Sequence, residues 1–161
     1  MFLRDESKEL SNKIIIDLQN YIRNNIPLTD YMNFHVEDLL PYSIKLSAPI
    51  KPNDNHYGTA FGGSLATLGI LAGWSILHFR AVEEELKCIL VIQESSMKYI
   101  RPARTDFEAV CDTLNEKLWT EFKSGLLAKG KARISMFTNL YSQGELIATH
   151  KGIFVGLIKT K

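Results

Sequence analysis

The chain has 161 residues, 45% apolar and 23% charged, with a formal net charge of +1. That length fits one domain over residues 1–161, able to bury roughly 70% of the surface its unfolded chain exposes without a disulfide or metal to staple it. The composition excludes a disordered chain, and the absence of a basic excess or cluster excludes an ordinary nucleic-acid binder.

The N-terminal residues Met-Phe-Leu-Arg-Asp-Glu-Ser-Lys-Glu contain no apolar core of a secretory signal, so a cytoplasmic location is expected. Cys88 and Cys111, the two cysteines, then read as reduced thiols packed like small apolar residues. Leu10, Ile14, Leu18, Tyr21 and Ile22 recur at helical spacing among Lys13, Asp17, Gln19 and Arg23. This predicts an amphipathic helix over about residues 7–25, part of a helical cap over residues 1–27, with Pro27 as its stop. Between Tyr42 and Ala48, Ile44, Leu46 and Ala48 alternate with polar residues, which predicts a half-buried strand. Pro49, Pro52, Asn53, Asp54, Asn55 and Gly58 mark a loop.

From Ala60 to Phe79 there is no formally charged residue. A run of that length can span a bilayer, but Gly62, Gly63, Ser64, Thr67, Gly69, Gly73, Ser75 and His78 interrupt it. The reading is a buried core helix over residues 59–85, and no membrane partner is expected. After it the period changes to two. Strands are predicted over Cys88–Ile100, Phe107–Cys111, Ala132–Leu140 and Leu146–Ile158, with Ser142-Gln143-Gly144 as a hairpin turn. Residues 115–124, with Leu118, Trp119 and Phe122, read as a short helix or a wide connection. Strands that follow one another without intervening helices favour an antiparallel sheet packed on the long helix, an α+β architecture.

The segment Asn55-His56-Tyr57-Gly58-Thr59-Ala60-Phe61-Gly62-Gly63-Ser64 resembles the N-x-x-G-x-x-H-G-G signature of hotdog-fold thioesterases. Leu65, Leu71, Ala72, Gly73 and Trp74, then Val91-Ile92-Gln93-Glu94-Ser95 and Tyr99-Ile100-Arg101-Pro102, are similar to the thioesterase domain of the YiiD C-terminal type, found at the C-terminus of some bacterial acetyltransferases. The resemblance covers the chain from about Ser43 onward. It implies a hotdog fold, an antiparallel sheet wrapped around one long central helix, here with an extra N-terminal helix. It also implies a homodimer or dimer of dimers with sites for an acyl thioester at the subunit interface. The substrate is carried on coenzyme A or on the phosphopantetheine of an acyl-carrier protein. No metal and no other cofactor is implied.

A helix N-terminus offers unpaired N–H groups and the positive end of the helix dipole. Gly62 and Gly63 let a thioester carbonyl approach those amides, which would polarise it and hold the oxyanion. Ser64 and Thr67 on the first turns are candidates to contact substrate or water. Two departures from the family pattern stand out. Phe61 occupies the usual histidine position, and Ile70 the helix position where many relatives carry an acid. No acid occurs from Ala60 to Val82. Either another residue supplies the base or the protein binds without hydrolysing. Three residues are candidates. His56 sits in the loop, and histidine ordinarily titrates near neutral pH. Asn55 can orient water or the carbonyl, or build an Asx turn. Glu94 can act as a base, or pair with Arg101 or Arg104. His35, His78 and His150 lack ligand spacing and read as structural. Hydrolysis of an acyl thioester is the leading expectation. A non-catalytic acyl-thioester binding protein and a dehydratase-like enzyme of fatty-acid metabolism are the alternatives.

Overall fold

The computed structural model describes residues 2–159; Met1, Thr160 and Lys161 lie outside the described residues. Helix α1 spans Phe2–Asn25 and starts earlier than the spacing predicts. Its apolar stripe delivers Leu18 and Ile22 to the core. Pro27 acts as a start as well as a stop. It opens a single-turn helix, α2 (Pro27–Tyr31), in which a first-turn proline loses no intrahelical hydrogen bond.

A strand not anticipated from the sequence follows: β1, His35–Leu40, pairs antiparallel with β2, Ser43–Ala48. Only Val36 of β1 is fully buried, and a register shift between Val36 and Asp38 breaks its alternation, so the periodicity carries no signal. Two contacts tie α1 to β1 and the residue before it. Gln19 Oε1 accepts from Val36 N at 2.9 Å, and Arg23 Nη2 donates to Phe34 O at 2.5 Å.

The long helix α3 runs from Gly62 to Glu83, so Thr59–Phe61 belong to the loop rather than to the helix. Around it curls a six-stranded sheet in the order β1-β2-β4-β5-β6-β3, antiparallel at every pairing. The later strands are β3 (Cys88–Tyr99), β4 (Phe107–Cys111), β5 (Lys131–Ser142) and β6 (Glu145–Ile158). Gln143 and Gly144 both take positive φ in the β5–β6 hairpin, as predicted for that turn. Residues read as a short helix or connection form a full helix, α4 (Glu116–Lys129). Asn115 caps its start by accepting from Leu118 N, and Gly130 at φ 70° closes its end. Trp119, Phe122 and Leu126 bury one face of it.

Helix α3 has the length and apolarity to cross a membrane, but 56% of its most apolar window is buried inside the fold. Two of its glycines explain how it lies so close to the sheet. A Cβ on Gly69 would sit 2.8 Å from His150 Cβ, and one on Gly73 would sit 2.9 Å from the Phe154 ring. Alanine normally gains about 1 kcal/mol over glycine inside a helix. At Gly69 the sign reverses, because the atom met is a strand-anchored Cβ with nowhere to move. Gly69→Ala is expected to lose about 1–3 kcal/mol in urea unfolding; a gain would mean that α3 can lift off the sheet at no cost.

Candidate functional site

The loop before α3 is pinned at both ends. Asn53, 2% exposed, donates from Nδ2 to Met32 O and Pro49 O at 2.8 and 2.9 Å. Phe61 N returns a bond to Asn53 O at 2.8 Å, and Ala60 N bonds Ala103 O at 2.8 Å. Between these anchors Asn55 organises a closed turn. Its N–H donates to Thr59 O at 2.8 Å, and its Oδ1 accepts from Tyr57 N at 2.9 Å and Thr59 N at 3.2 Å. Gly58 sits at φ +71°, the left-handed backbone that the turn needs. The Asn55 side chain is thus engaged in an Asx-type turn. His56 lies at the turn's exposed tip, its ring 4.0 Å from that of Tyr57.

Helix α3 starts with no side-chain cap. Leu65 N closes the first turn on Phe61 O at 3.1 Å, which leaves the N–H groups of Gly62, Gly63 and Ser64 as the donors of a helix start that have no backbone partner among the described residues. Two aromatic rings frame them. Tyr99, from the end of β3, donates from Oη to Gly62 O at 2.9 Å, with its ring 3.3 Å from where a Gly62 Cβ would stand. Phe61 lays its ring on Gly63, so close that a Cβ there would come within 2.3 Å. An open cleft of about 370 Å³ adjoins this end of the helix, lined by Thr59, Ala60, Gly62, Leu65, Tyr99 and the Ile100–Pro102 segment. Ser64 is half-buried on the first turn, and Thr67 Oγ1 donates back to Gly63 O at 2.8 Å.

Glu94 goes elsewhere. The β3–β6 register shifts between Ile92 and Glu94. Up to Ile92, partnered by the core residue Phe154, the alternate residues face α3; beyond the bulge Ser95 and Met97 do so, and Glu94 pairs with Ile153 on the opposite face. Neither arginine considered as its ion partner meets it. Arg101 bridges to Glu145 at 2.8 Å, and Arg104 donates to Tyr57 O at 3.1 Å.

The bulge puts Ser95 Oγ 2.9 Å from Nε2 of His150, a residue 2% exposed beneath Gly69. Burial pushes this imidazole down to about 4, so it is neutral across the physiological range. Its Nδ1 has no partner among the described residues. His78 is also held below its usual value by burial and stacks between Trp74 and Tyr21 at 4.6 and 4.7 Å. Both thiols are free, Cys88 half-buried and Cys111 buried, and desolvation raises both above the usual range. Among the described residues no three His, Cys, Asp or Glu side chains gather as a metal site.

The structure therefore brings Gly62, Gly63, Ser64 and Thr67 together with Tyr99 and Phe61, holds Asn55 and His56 in the preceding turn, and leaves Glu94 on the other face. Tyr99 entered the sequence reading only within the Tyr99-Ile100-Arg101-Pro102 segment and not as a site residue, because its role lies in a tertiary contact with Gly62.

An antiparallel sheet curled round one long helix, whose glycine-rich start opens onto a cleft, defines a hotdog-fold thioesterase. The chain belongs to the family described as "Putative thioesterase (yiiD_Cterm)", which matches residues 15–158. Its fold is shared with a protein of unknown function from Chlorobaculum tepidum, 27% identical at a TM-score of 0.87 over 92% of this chain and 97% of that one. A "putative thioesterase from Shewanella oneidensis" is 22% identical at a TM-score of 0.80, over 92% and 99% of the two chains. A thioesterase from Haemophilus influenzae is 12% identical at a TM-score of 0.72, over 91% and 92%.

Proposed function

We propose that this thioesterase hydrolyses acyl thioesters carried on coenzyme A or on the phosphopantetheine arm of an acyl-carrier protein, in the cytoplasm. The observation that carries the reading is the uncapped start of α3, with its free amides beside the cleft at Tyr99. The thioester carbonyl oxygen docks on the Gly62 and Gly63 N–H groups. Water adds to the carbonyl carbon, the oxyanion gathers on those donors, and the thiol leaves with a proton. With Glu94 on the far face, His56 is the remaining candidate to take the proton from water, while Asn55 fixes the turn that carries it.

The working unit is a homodimer. Strand β3 is an edge strand of 12 residues, paired only with β6, and it exposes Ile89 and Val91. Such an edge is a template for pairing with a second copy, and pairing there brings a partner against the cleft at Tyr99.

A panel of acyl-CoA thioesters scored by thiol release tests the activity. His56→Ala is expected to lower kcat by about 10²–10⁴ with KM little changed, the usual effect of deleting a general base. Full activity in that variant would remove His56 from the mechanism. Binding without turnover across short, medium and long chains would favour the non-catalytic reading.

A further inference from the structure

We propose that Tyr99 is a catalytic residue of the cleft: its hydroxyl accepts a hydrogen bond from the attacking water and turns the water's lone pair toward the thioester carbon. This rests on the thioesterase reading above and assigns a further residue of the same site.

The hydroxyl's one hydrogen is already committed, because Tyr99 Oη donates it to Gly62 O at 2.9 Å. A phenol has a single O–H and two acceptor lone pairs, so Tyr99 meets the cleft as an acceptor. An acceptor cannot hold the carbonyl oxygen or the oxyanion. It can hold a donor, and the reacting donor is water.

The other polar side chains of the cleft are engaged elsewhere. Its lining carries three of them, on Thr59, Tyr99 and Arg101. Thr59 is 9% exposed, and its Oγ1 is turned to Asn55, accepting from Nδ2 at 2.9 Å and donating to Oδ1 at 3.1 Å. Arg101 bridges to Glu145 and has donors only. Tyr99 is 54% exposed, which leaves its Oη as the side-chain acceptor open to a molecule in the cleft. No lining residue is an acid, so the orienting that a carboxylate could give to water falls to the phenol.

The distances suit the role. Oη stands 3.3 Å from the position of a Gly62 Cβ, and backbone dimensions then put it within about 6 Å of Gly62 N. A carbonyl oxygen bonded to that N–H and a water bonded to Oη, each at about 2.9 Å, can stand there with the water oxygen about 3–3.5 Å from the carbonyl carbon, a near-attack separation. The sheet fixes the position of the phenol, since Tyr99 is paired with Ala148 in the β3–β6 ladder and Ile100 N bonds Ile147 O at 2.8 Å. In the reaction the water oxygen bonds to the carbonyl carbon, the base takes one water proton, and the C–S bond breaks as the thiol leaves with that proton. The water hydrogen bonded to Oη stays with the acid product, and Tyr99 keeps its own hydrogen on Gly62 O.

The test compares Tyr99→Phe with the native full-length chain on an acyl-CoA thioester, with hydroxylamine as a second nucleophile and the uncatalysed reaction subtracted. Phenylalanine keeps the ring against Gly62 and removes one exposed hydroxyl; thermal unfolding checks that the fold is kept. Hydrolysis should fall about ten- to a hundredfold in kcat, the size of a misplaced reactant, while affinity for a non-hydrolysable S-alkyl coenzyme A thioether stays within about twofold. Hydroxylamine is a stronger nucleophile that depends less on being oriented, so the ratio of hydroxamate to free acid should rise about tenfold or more. Gly62→Pro gives the contrast: a lost oxyanion donor slows both products together and leaves their ratio at the native value. Unchanged hydrolysis in Tyr99→Phe overturns the proposal. So does a fall in both products at constant ratio, which would mean that the hydroxyl only braces the helix start. Weakened thioether binding at unchanged kcat also overturns it, and would assign Oη to an amide of the pantetheine arm. No thiol release by the native chain removes the hydrolase reading and this role with it, whereas hydrolysis indifferent to Tyr99→Phe leaves that reading standing.

Discussion

Gly62→Pro is expected to cost about 10²–10³ in kcat, the loss produced elsewhere by deleting one oxyanion donor, while the protein stays folded. Gly62 is the first residue of α3, the position where proline is best tolerated because its missing N–H has no intrahelical acceptor. The residue before a proline must be extended, and Phe61 already is, at φ −65° and ψ 132°. The substitution therefore removes one donor from the site and asks almost nothing of the backbone. Added bulk is the competing explanation, since a Cβ at Gly62 meets the Tyr99 ring at 3.3 Å. Gly62→Ala supplies the same Cβ and keeps the N–H, so it should retain most of the activity. Steady-state kinetics on the two variants, with thermal unfolding as the control for folding, separates the effects. If the proline and alanine variants turn over equally well, the Gly62 amide does not bind the carbonyl.

A long buried helix after the polar loop was legible in the sequence because an uncharged apolar run has a local cause, although it starts at Gly62 and not at Thr59. The same holds for α1, with Leu18 and Ile22 on one stripe, and for the β5–β6 hairpin, where Gln143-Gly144 supply the backbone the turn needs. What stayed illegible depended on partners distant in the chain. The β3 bulge turns Glu94 away from α3 and Ser95 toward it, yet period-two alternation through residues 88–99 gives no sign of one extra residue. Strand β1 buries only Val36 and carries its own irregularity, so neither alternation nor an apolar run marks it. Helix α4 was half visible. Trp119, Phe122 and Leu126 have helical spacing, and Asn115 and Gly130 are good cap residues, but Gly125 weakens the pattern in the middle. The recess between α2 and α3 could not be read at all, because Ile26 and Thr29 meet Thr67, Ile70 and Trp74 only after the chain has folded back on α3.

The largest effect on stability is expected where α3 meets α4. Glu84, just past the last turn of α3, accepts three bonds at once: from Arg80 Nη2 at 2.5 Å, from Lys123 Nζ at 2.5 Å and from Trp119 Nε1 at 2.7 Å. Arg80 is itself held between the rings of Tyr42 and Trp119, at 5.0 and 5.7 Å. The side chain of Glu84 is 25% exposed and that of Arg80 13%, so this is a partly buried network and not a solvated surface pair. Glu84→Ala leaves the indole N–H of a fully buried tryptophan and a largely buried guanidinium without their acceptor. Removing one member of a buried pair costs about 3–5 kcal/mol; with Glu84 a quarter exposed, about 2–3 kcal/mol is expected here, read by urea unfolding at pH 7. Glu84→Gln, which keeps an acceptor for Trp119 but loses the charge, should fall between. The pH dependence provides a second check. The hydrogen bond from Lys123, above all, holds the Glu84 carboxyl below its ordinary 4.5. Its contribution is therefore complete above that value and is lost as the pH falls through the lowered folded value. The gap between the native chain and Glu84→Gln should be widest at neutral pH and close on acidification below 4.5. A gap that stays constant down to the acid limit would mean that the carboxylate's charge contributes nothing, leaving the latch between the two helices to Trp119 packing alone.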